Sequence, residues 1–406
     1  MRSGAAFAES ARYLAGGVTR QAGYWHPYPI TIVRGEGSAV WDVDGNEYID
    51  GIYNYSALVH GHAYPPIVVA ARAALASSTA WLGNCAAQSE LAQMLVERIP
   101  SVERIRFTNS GSEAAYLALA IARAVTGRHR FLMARHGYHG AIGEFAAGSF
   151  DLPGPRPYVA RYNDLDEFEA VLGANGNEIA AVFLEPVWTS GGVVQGTKQF
   201  LEGALTAAHR AGAVFVLDEV VTLRLGIGGA QGNLGLEPDL TMLAKVIGGG
   251  FPVGAVGGKR EHMSLLDPTA PKAVSSGTFN GNPVSMAAGV VSVRDLTADR
   301  IDSMGGLAGR LKAGLIAAAE QVGLPIRINQ AGSILGVAFQ THEPDNPFLR
   351  DDRRIMSRFH LAALNHGVLL APRGMIALAT VMTTAVVDEM IGRLGAAMAD
   401  VVGEAV

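Results

Sequence analysis

Cysteine is almost absent from this chain of 406 residues. Cys85 stands alone, so one copy forms no internal disulfide, and a reducing, cytoplasmic setting is expected. An excess of positive charge is lacking as well. Lys and Arg total 32 against 37 Asp and Glu, for a net charge of -5, and no dense basic run occurs, so nothing favours a nucleic-acid partner. Mean hydropathy is positive at +0.21. Yet the apolar stretches are Ala- and Gly-rich and broken by charge, and none makes the ~20 residues a membrane span requires. Met1–Glu9 lacks the long apolar core of a signal peptide. Internal repeats, heptads and low-complexity tracts are missing. What is abundant is apolar residue, 49% of the chain, enough for a large core and more than one lobe.

The organisation changes twice along the chain. Up to about residue 50, short alternating runs are separated by the turn signals Gly35-Glu36-Gly37 and Asp44-Gly45-Asn46, which predicts a small antiparallel meander. From about 51 to 290, strands alternate with helices. Arg104–Thr108 reads as a strand and Ser112–Thr126 as a helix. Ala180–Glu185 and Ala213–Asp218 are continuous apolar runs ending in an acid, as central parallel strands do, with a crossover helix at 198–211 between them. From 291 to 406, helices mix with short strands such as Gly332–Phe339. The expected fold is α/β: a large domain with a mostly parallel sheet, plus a smaller α/β domain contributed by both termini.

Parallel sheets bind ligands at their carboxyl ends, and three strand ends here are chemically pointed. Phe107-Thr108-Asn109-Ser110-Gly111-Ser112-Glu113 joins a strand to a helix through small residues. Its amides and hydroxyls suit a phosphate, although an ordinary serine helix cap explains the same residues. Asp218 ends a buried run and calls for a cation or a donor, or else caps the next loop. Glu185 ends the neighbouring run. Lys245 stands between an apolar run and Gly248-Gly249-Gly250, with no charged neighbour in that window. Desolvation would keep its amine neutral and nucleophilic, while a snorkelling lysine is the plainer alternative. The glycines weigh against that alternative, as residues that admit close backbone approach without serving packing.

Taken in order, these features resemble the class III (omega-amino-acid) aminotransferases of pyridoxal-phosphate fold type I. The matching residues are Asn109-Ser110-Gly111-Ser112-Glu113-Ala114, Tyr138-His139-Gly140, Glu185-Pro186, Asp218-Glu219-Val220 with Thr222 and Arg224, Lys245 with its glycines, and Gly277-Thr278-Phe279. The resemblance implies pyridoxal 5'-phosphate as cofactor, with Lys245 as its Schiff-base lysine and proton shuttle and Asp218 as partner of the pyridine nitrogen. Ser110, Gly111 and Ser112 match the phosphate turn. Tyr138 and Val220 match the residues on the two ring faces, and Glu185 a residue behind the cofactor. Thr278 matches a residue reaching the phosphate of a neighbouring subunit, implying a homodimer with shared active sites. His136 and His139 lie three apart, but no further ligand pattern supports a metal. Gly226–Gly232 is Gly-rich but lacks the strand-to-helix setting of a dinucleotide site.

Within that class, Gly16-Gly17-Val18-Thr19-Arg20, Arg161-Tyr162-Asn163-Asp164 and Ala371-Pro372-Arg373-Gly374 resemble the branch holding glutamate-1-semialdehyde aminomutase and the β-amino-acid (β-phenylalanine) aminotransferases. Thr19-Arg20 and the lack of a Thr-rich stretch over 149–158 favour the transaminase over the aminomutase, an isomerase. By that resemblance Arg20 binds a substrate carboxylate, with its fork suited to two parallel hydrogen bonds. Arg373 would accept the second carboxylate of 2-oxoglutarate, or the carboxylate of pyruvate. Trp188 lines the substrate pocket and is bulkier than the family usually places there. Amines, amino acids and keto acids are the expected small-molecule partners.

Overall fold

The computed structural model describes residues 1–150, 152–340 and 352–403. Residues 151, 341–351 and 404–406, which the sequence reading assigns to the large domain and the C-terminal region, lie outside that set. The chain divides into two units, one of residues 65–301 and the other of residues 1–64 with 302–406.

The larger unit is built on a seven-stranded sheet. In space its strands run Arg104–Thr108, Gly254–Gly258, Leu240–Ala244, Val214–Asp218, Ile179–Leu184, Arg130–Ala134 and Tyr158–Ala160. Every pairing is parallel except the two made by Gly254–Gly258, which runs against both neighbours. The central strands are continuous apolar runs because helices cover both their faces; all six residues of Ile179–Leu184 are buried, as are all five of Val214–Asp218. Helix Gly111–Thr126 buries an Ala/Leu/Ile stripe on one face of the sheet and ends on Gly127, whose φ of 69° is the left-handed conformation a C-cap requires. Helix Lys198–Arg210 is capped by Thr197, whose hydroxyl accepts from Phe200 N, and packs on the opposite face. Gly254 must be glycine, since a Cβ there would lie 2.0 Å from Ser110 O. That absence lets the reversed strand run tight beneath the turn after Thr108.

The smaller unit carries the meander Ile32–Glu36, Ala39–Asp42 and Glu47–Asp50, extended by Val368–Leu369 parallel to its last strand. A second sheet of Arg327–Ala331, Ile334–Ala338 and Met375–Ala377 is antiparallel throughout. Residues 51–64 group with this unit and not with the larger one. Gly51 N–H donates to Leu369 O, and Tyr53, wholly buried, joins the core formed with Leu311, Phe359 and Met390.

Candidate active site

The register of the larger unit's sheet brings four segments to one edge. Asp218 lies beside Met242, Leu217 beside Leu184, and Gly254 between Thr108 and Ala244. Ser110, Glu185, Asp218 and Lys245 therefore leave the sheet together at its carboxyl edge, where parallel α/β sheets place ligands.

Lys245 keeps part of its surface open, yet its ammonium is largely stripped of water. Desolvation, reinforced by the Arg224 charge and opposed by Asp218 and Glu185, pulls its pKa from 10.5 down to about 8. Its backbone sits at φ +51°, a conformation that side chains resist and that clusters at functional positions. Of the glycines that follow, Gly249 admits the close backbone approach expected of it, while Gly248 also serves side-chain packing, which was not expected. A Cβ at Gly248 would lie 2.5 Å from Val253 Cγ1, and one at Gly249 2.8 Å from Ala288 O.

Desolvation of Lys245 has a pH signature in the cofactor-free protein. The folded pKa lies below the unfolded one, so between pH 8 and 10.5 the unfolded chain holds a proton that the folded chain lacks, and stability rises with pH across that window. Below it the penalty is fully present. Cofactor-free Lys245→Met should therefore melt above wild type at pH 7, with the gap in thermal midpoint closing as pH climbs through the window. A gap that is constant with pH would contradict a desolvated amine.

Asp218 is buried, and each carboxylate oxygen has one hydrogen-bond partner, which leaves it room to accept another. Its Oδ1 accepts from Val220 N at 2.9 Å, and its Oδ2 meets His139 Nδ1 at 2.9 Å. His139 is itself buried, and its Nε2 has no partner among the described residues. With Nδ1–H donating, the imidazole steadies the carboxylate from behind. Nothing in the sequence pairs His139 with Asp218; His136, three residues earlier, instead has its Nδ1 3.4 Å from Ser149 O.

The turn after Thr108 is both a helix cap and an amide nest. Ser110 Oγ accepts from Glu113 N at 3.2 Å, and Glu113 Oε2 accepts from Asn109 N at 2.7 Å. The amides of Gly111 and Ser112, in the first turn, have no partner within the helix. Two close approaches locate the turn. A Cβ at Gly111 would lie 3.3 Å from Val220 Cγ2 and 3.5 Å from Ala244 Cβ, while one at Gly140, with φ +103°, would lie 2.5 Å from Ser112 Oγ. Val220, Lys245 and the Tyr138-His139-Gly140 loop thus border the same nest.

Tyr138 is 43% exposed, with its backbone N–H donating to Glu185 Oε1 at 3.1 Å. Burial, then the negative charges of Asp218 and Glu185, raise its phenol pKa. Glu185 also accepts from Thr189 Oγ1 at 2.8 Å, and its own pKa is raised, chiefly by burial. Trp188 is buried rather than open to a pocket. Its indole N–H donates to His136 O at 3.3 Å, its ring lies 5.7 Å from that of Tyr162, and Gly191 packs flat against it. Thr278 lies in an exposed segment with Val274 and Phe279, tied to the nest through Asn280, whose Oδ1 accepts from Asn109 Nδ2 at 2.8 Å.

In the smaller unit Arg20 is exposed, and its Nη1 donates to Asn54 Oδ1 at 2.7 Å. Among the described residues it forms no ion pair. Arg373 is exposed in a tight turn closed by Gly374 N donating to Ala371 O at 2.9 Å.

A desolvated amine, a buried carboxylate and an amide nest on one sheet edge fit a phosphorylated aldehyde whose ring nitrogen bears a proton, the chemistry of pyridoxal 5'-phosphate. The fold and this edge define a fold type I pyridoxal-phosphate enzyme. Its sequence matches the family Aminotransferase class-III over residues 21–147 and 141–402. It is 38% identical over 393 residues to glutamate-1-semialdehyde 2,1-aminomutase 2 of Geobacillus kaustophilus, covering 91% of each chain. It is 36% identical over 397 residues to β-phenylalanine transaminase of Variovorax paradoxus, covering 96% of this chain and 91% of that one. An omega-transaminase from Sphaerobacter thermophilus superposes with a TM-score of 0.93 at 36% identity, covering 98% of this chain and 97% of that chain. The chain belongs to the class III aminotransferases, enzymes that use pyridoxal phosphate to move an amino group between small-molecule amines and keto acids.

Proposed function

We propose that this aminotransferase takes a β-amino acid as amino donor and 2-oxoglutarate or pyruvate as acceptor. The observation that carries the donor is Arg20, an exposed guanidinium with no counter-ion among the described residues. Similarity to the β-phenylalanine transaminase of Variovorax paradoxus supports the same class of donor. Arg373 is assigned to the carboxylate of the acceptor. Trp188 acts on the pocket indirectly, by holding the loop that carries His136 and Tyr138.

Lys245 would hold the cofactor's aldehyde carbon, Asp218 its ring nitrogen, and Ser110, Gly111 and Ser112 its phosphate. Tyr138 and Val220 would cover its two faces, with Glu185 fixing the Tyr138 loop. Bound there, pyridoxal phosphate supplies an electron sink for charge developing at the substrate carbon. The protein's own part is proton management. With its pKa lowered to about 8, the Lys245 amine is part neutral near that pH and mostly neutral above it, and the neutral Nζ would take the proton from the carbon bearing the amine and later return it. Asp218, steadied by His139 at 2.9 Å, would balance the charge on the ring nitrogen.

The larger unit exposes the large apolar side chains Val69, Leu75, Trp81, Leu82, Val274 and Phe279, the kind of surface a second subunit covers. This supports a homodimer in which Thr278 completes a neighbour's phosphate site. No helix among the described residues is long and apolar enough to cross a membrane, and the single cysteine supports a cytoplasmic location.

The donor is tested by mixing purified enzyme with β-amino acids, α-amino acids and amines lacking a carboxylate, and following the cofactor's visible absorbance in a half-reaction. Arg20→Ala should raise KM for β-amino acids by ~100-fold and leave amines without a carboxylate untouched. Equal effects on both groups would overturn the assignment of Arg20. A second reading, an isomerase acting on glutamate-1-semialdehyde, is favoured by the Geobacillus kaustophilus relative. Turnover of that compound with no acceptor present would select it.

A further inference from the structure

After the strand Glu47–Asp50, the chain passes through four consecutive left-handed residues. Tyr53, Asn54, Tyr55 and Ser56 have φ of 47°, 52°, 55° and 69°, and none is glycine. Side chains resist this conformation, so one full turn of it persists only where the surroundings dictate it. Those surroundings are specific. Asp50 Oδ1 accepts from the backbone N–H of Ile52 and Tyr53 at 2.8 and 2.9 Å, and Asp50 Oδ2 pairs with His62 Nε2 at 2.7 Å. Ser56 N–H closes the turn onto Ile52 O at 2.8 Å. Tyr53 is wholly buried, its ring 5.8 Å from that of His62 and its hydroxyl donating to Met382 Sδ at 3.2 Å. Even Gly35 serves the arrangement, since a Cβ there would lie 2.6 Å from His62 Nδ1.

What this buried apparatus presents at the surface is Asn54, whose Oδ1 takes Arg20 Nη1 at 2.7 Å. A neutral amide holds one corner of the guanidinium while leaving its charge and other donors open. A carboxylate at the same point would neutralise Arg20 and compete with an incoming substrate. Arginine loses much rotamer freedom when it is fixed, so a guanidinium oriented in advance binds an anion more tightly.

We propose that Asn54 is a positioning residue that aims Arg20 at the substrate carboxylate, and that the left-handed turn exists to present it. The inference rests on Arg20 being the carboxylate anchor. The discriminating variant is Asn54→Gly, because glycine adopts φ near 52° without resistance and only the amide is lost. In the holoenzyme, KM for β-amino acids should rise about tenfold while kcat stays within about twofold, as expected for loss of one charge-assisted hydrogen bond used in binding. KM for an amine without a carboxylate should not change, and the thermal midpoint should be equal or higher. Asn54→Asp should raise KM for β-amino acids further still, with the rise shrinking at high salt. If Arg20→Ala separates the two substrate groups and Asn54→Gly does not, the inference falls while the role of Arg20 stands. If Arg20→Ala fails to separate them, both fall.

Discussion

Lys245→Ala should lose transamination outright, with kcat lower by at least about a thousandfold. Proton transfer by a positioned side chain contributes ~10²–10⁴ alone, and the covalent hold on the cofactor disappears with it. The variant should still fold, because alanine removes an amine whose desolvation is a cost to the folded state. Borohydride should fix pyridoxal phosphate to the wild type and not to the variant. Turnover within tenfold of wild type would remove Lys245 from the centre of the mechanism.

Asp218→Asn is the second large effect, and it separates charge from packing. Asparagine still offers His139 Nδ1 an acceptor, so the buried contact at 2.9 Å survives in kind. What vanishes is the negative charge, and removal of one preorganised electrostatic partner lowers kcat by ~10²–10³. KM for the donor should move little, and the cofactor should remain fixed by borohydride at Lys245. Asp218→Ala should lose a similar amount of activity and also about 1–3 kcal/mol of stability, since it strands the imidazole N–H. An Asp218→Asn enzyme active within threefold of wild type would show that the carboxylate has another purpose.

The features legible in the sequence are those where a residue type contradicts its local pattern. A lysine after Leu240–Ala244 and an acid after Val214–Leu217 interrupt buried apolar runs, and burial without chemistry would have continued those runs. The serine turn before Gly111–Thr126 was visible for the same reason, at the switch from strand to helix. The contact between His139 and Asp218 was not, because it joins positions 79 residues apart and only the sheet register creates it. Nor was the left-handed turn. Tyr53-Asn54-Tyr55-Ser56 contains no glycine, and the groups that impose it, Asp50 and His62, are distinguished only by their partners. Trp188 shows the converse, a large aromatic residue near chemistry whose polar atom is committed to a neighbouring loop.

The reversed strand Gly254–Gly258 also fixes the order in which the site can be made. Arg104–Thr108, which carries the serine turn, is bonded within its sheet to that strand alone. A chain emerging from the ribosome can pair Arg130–Ala134 with Ile179–Leu184, then add Val214–Asp218 and Leu240–Ala244, each joining a strand already present. The serine turn has no seat until residue 258 is out, and seating it closes a long loop late, when most of that loop's length is already folded. During synthesis, the strand carrying the serine turn is therefore expected to join this sheet after its central strands. A nascent or truncated chain lacking Gly254–Gly258 would leave one edge of Leu240–Ala244 unpaired, a strand buried along its whole length in the complete sheet and of the kind that recruits other chains.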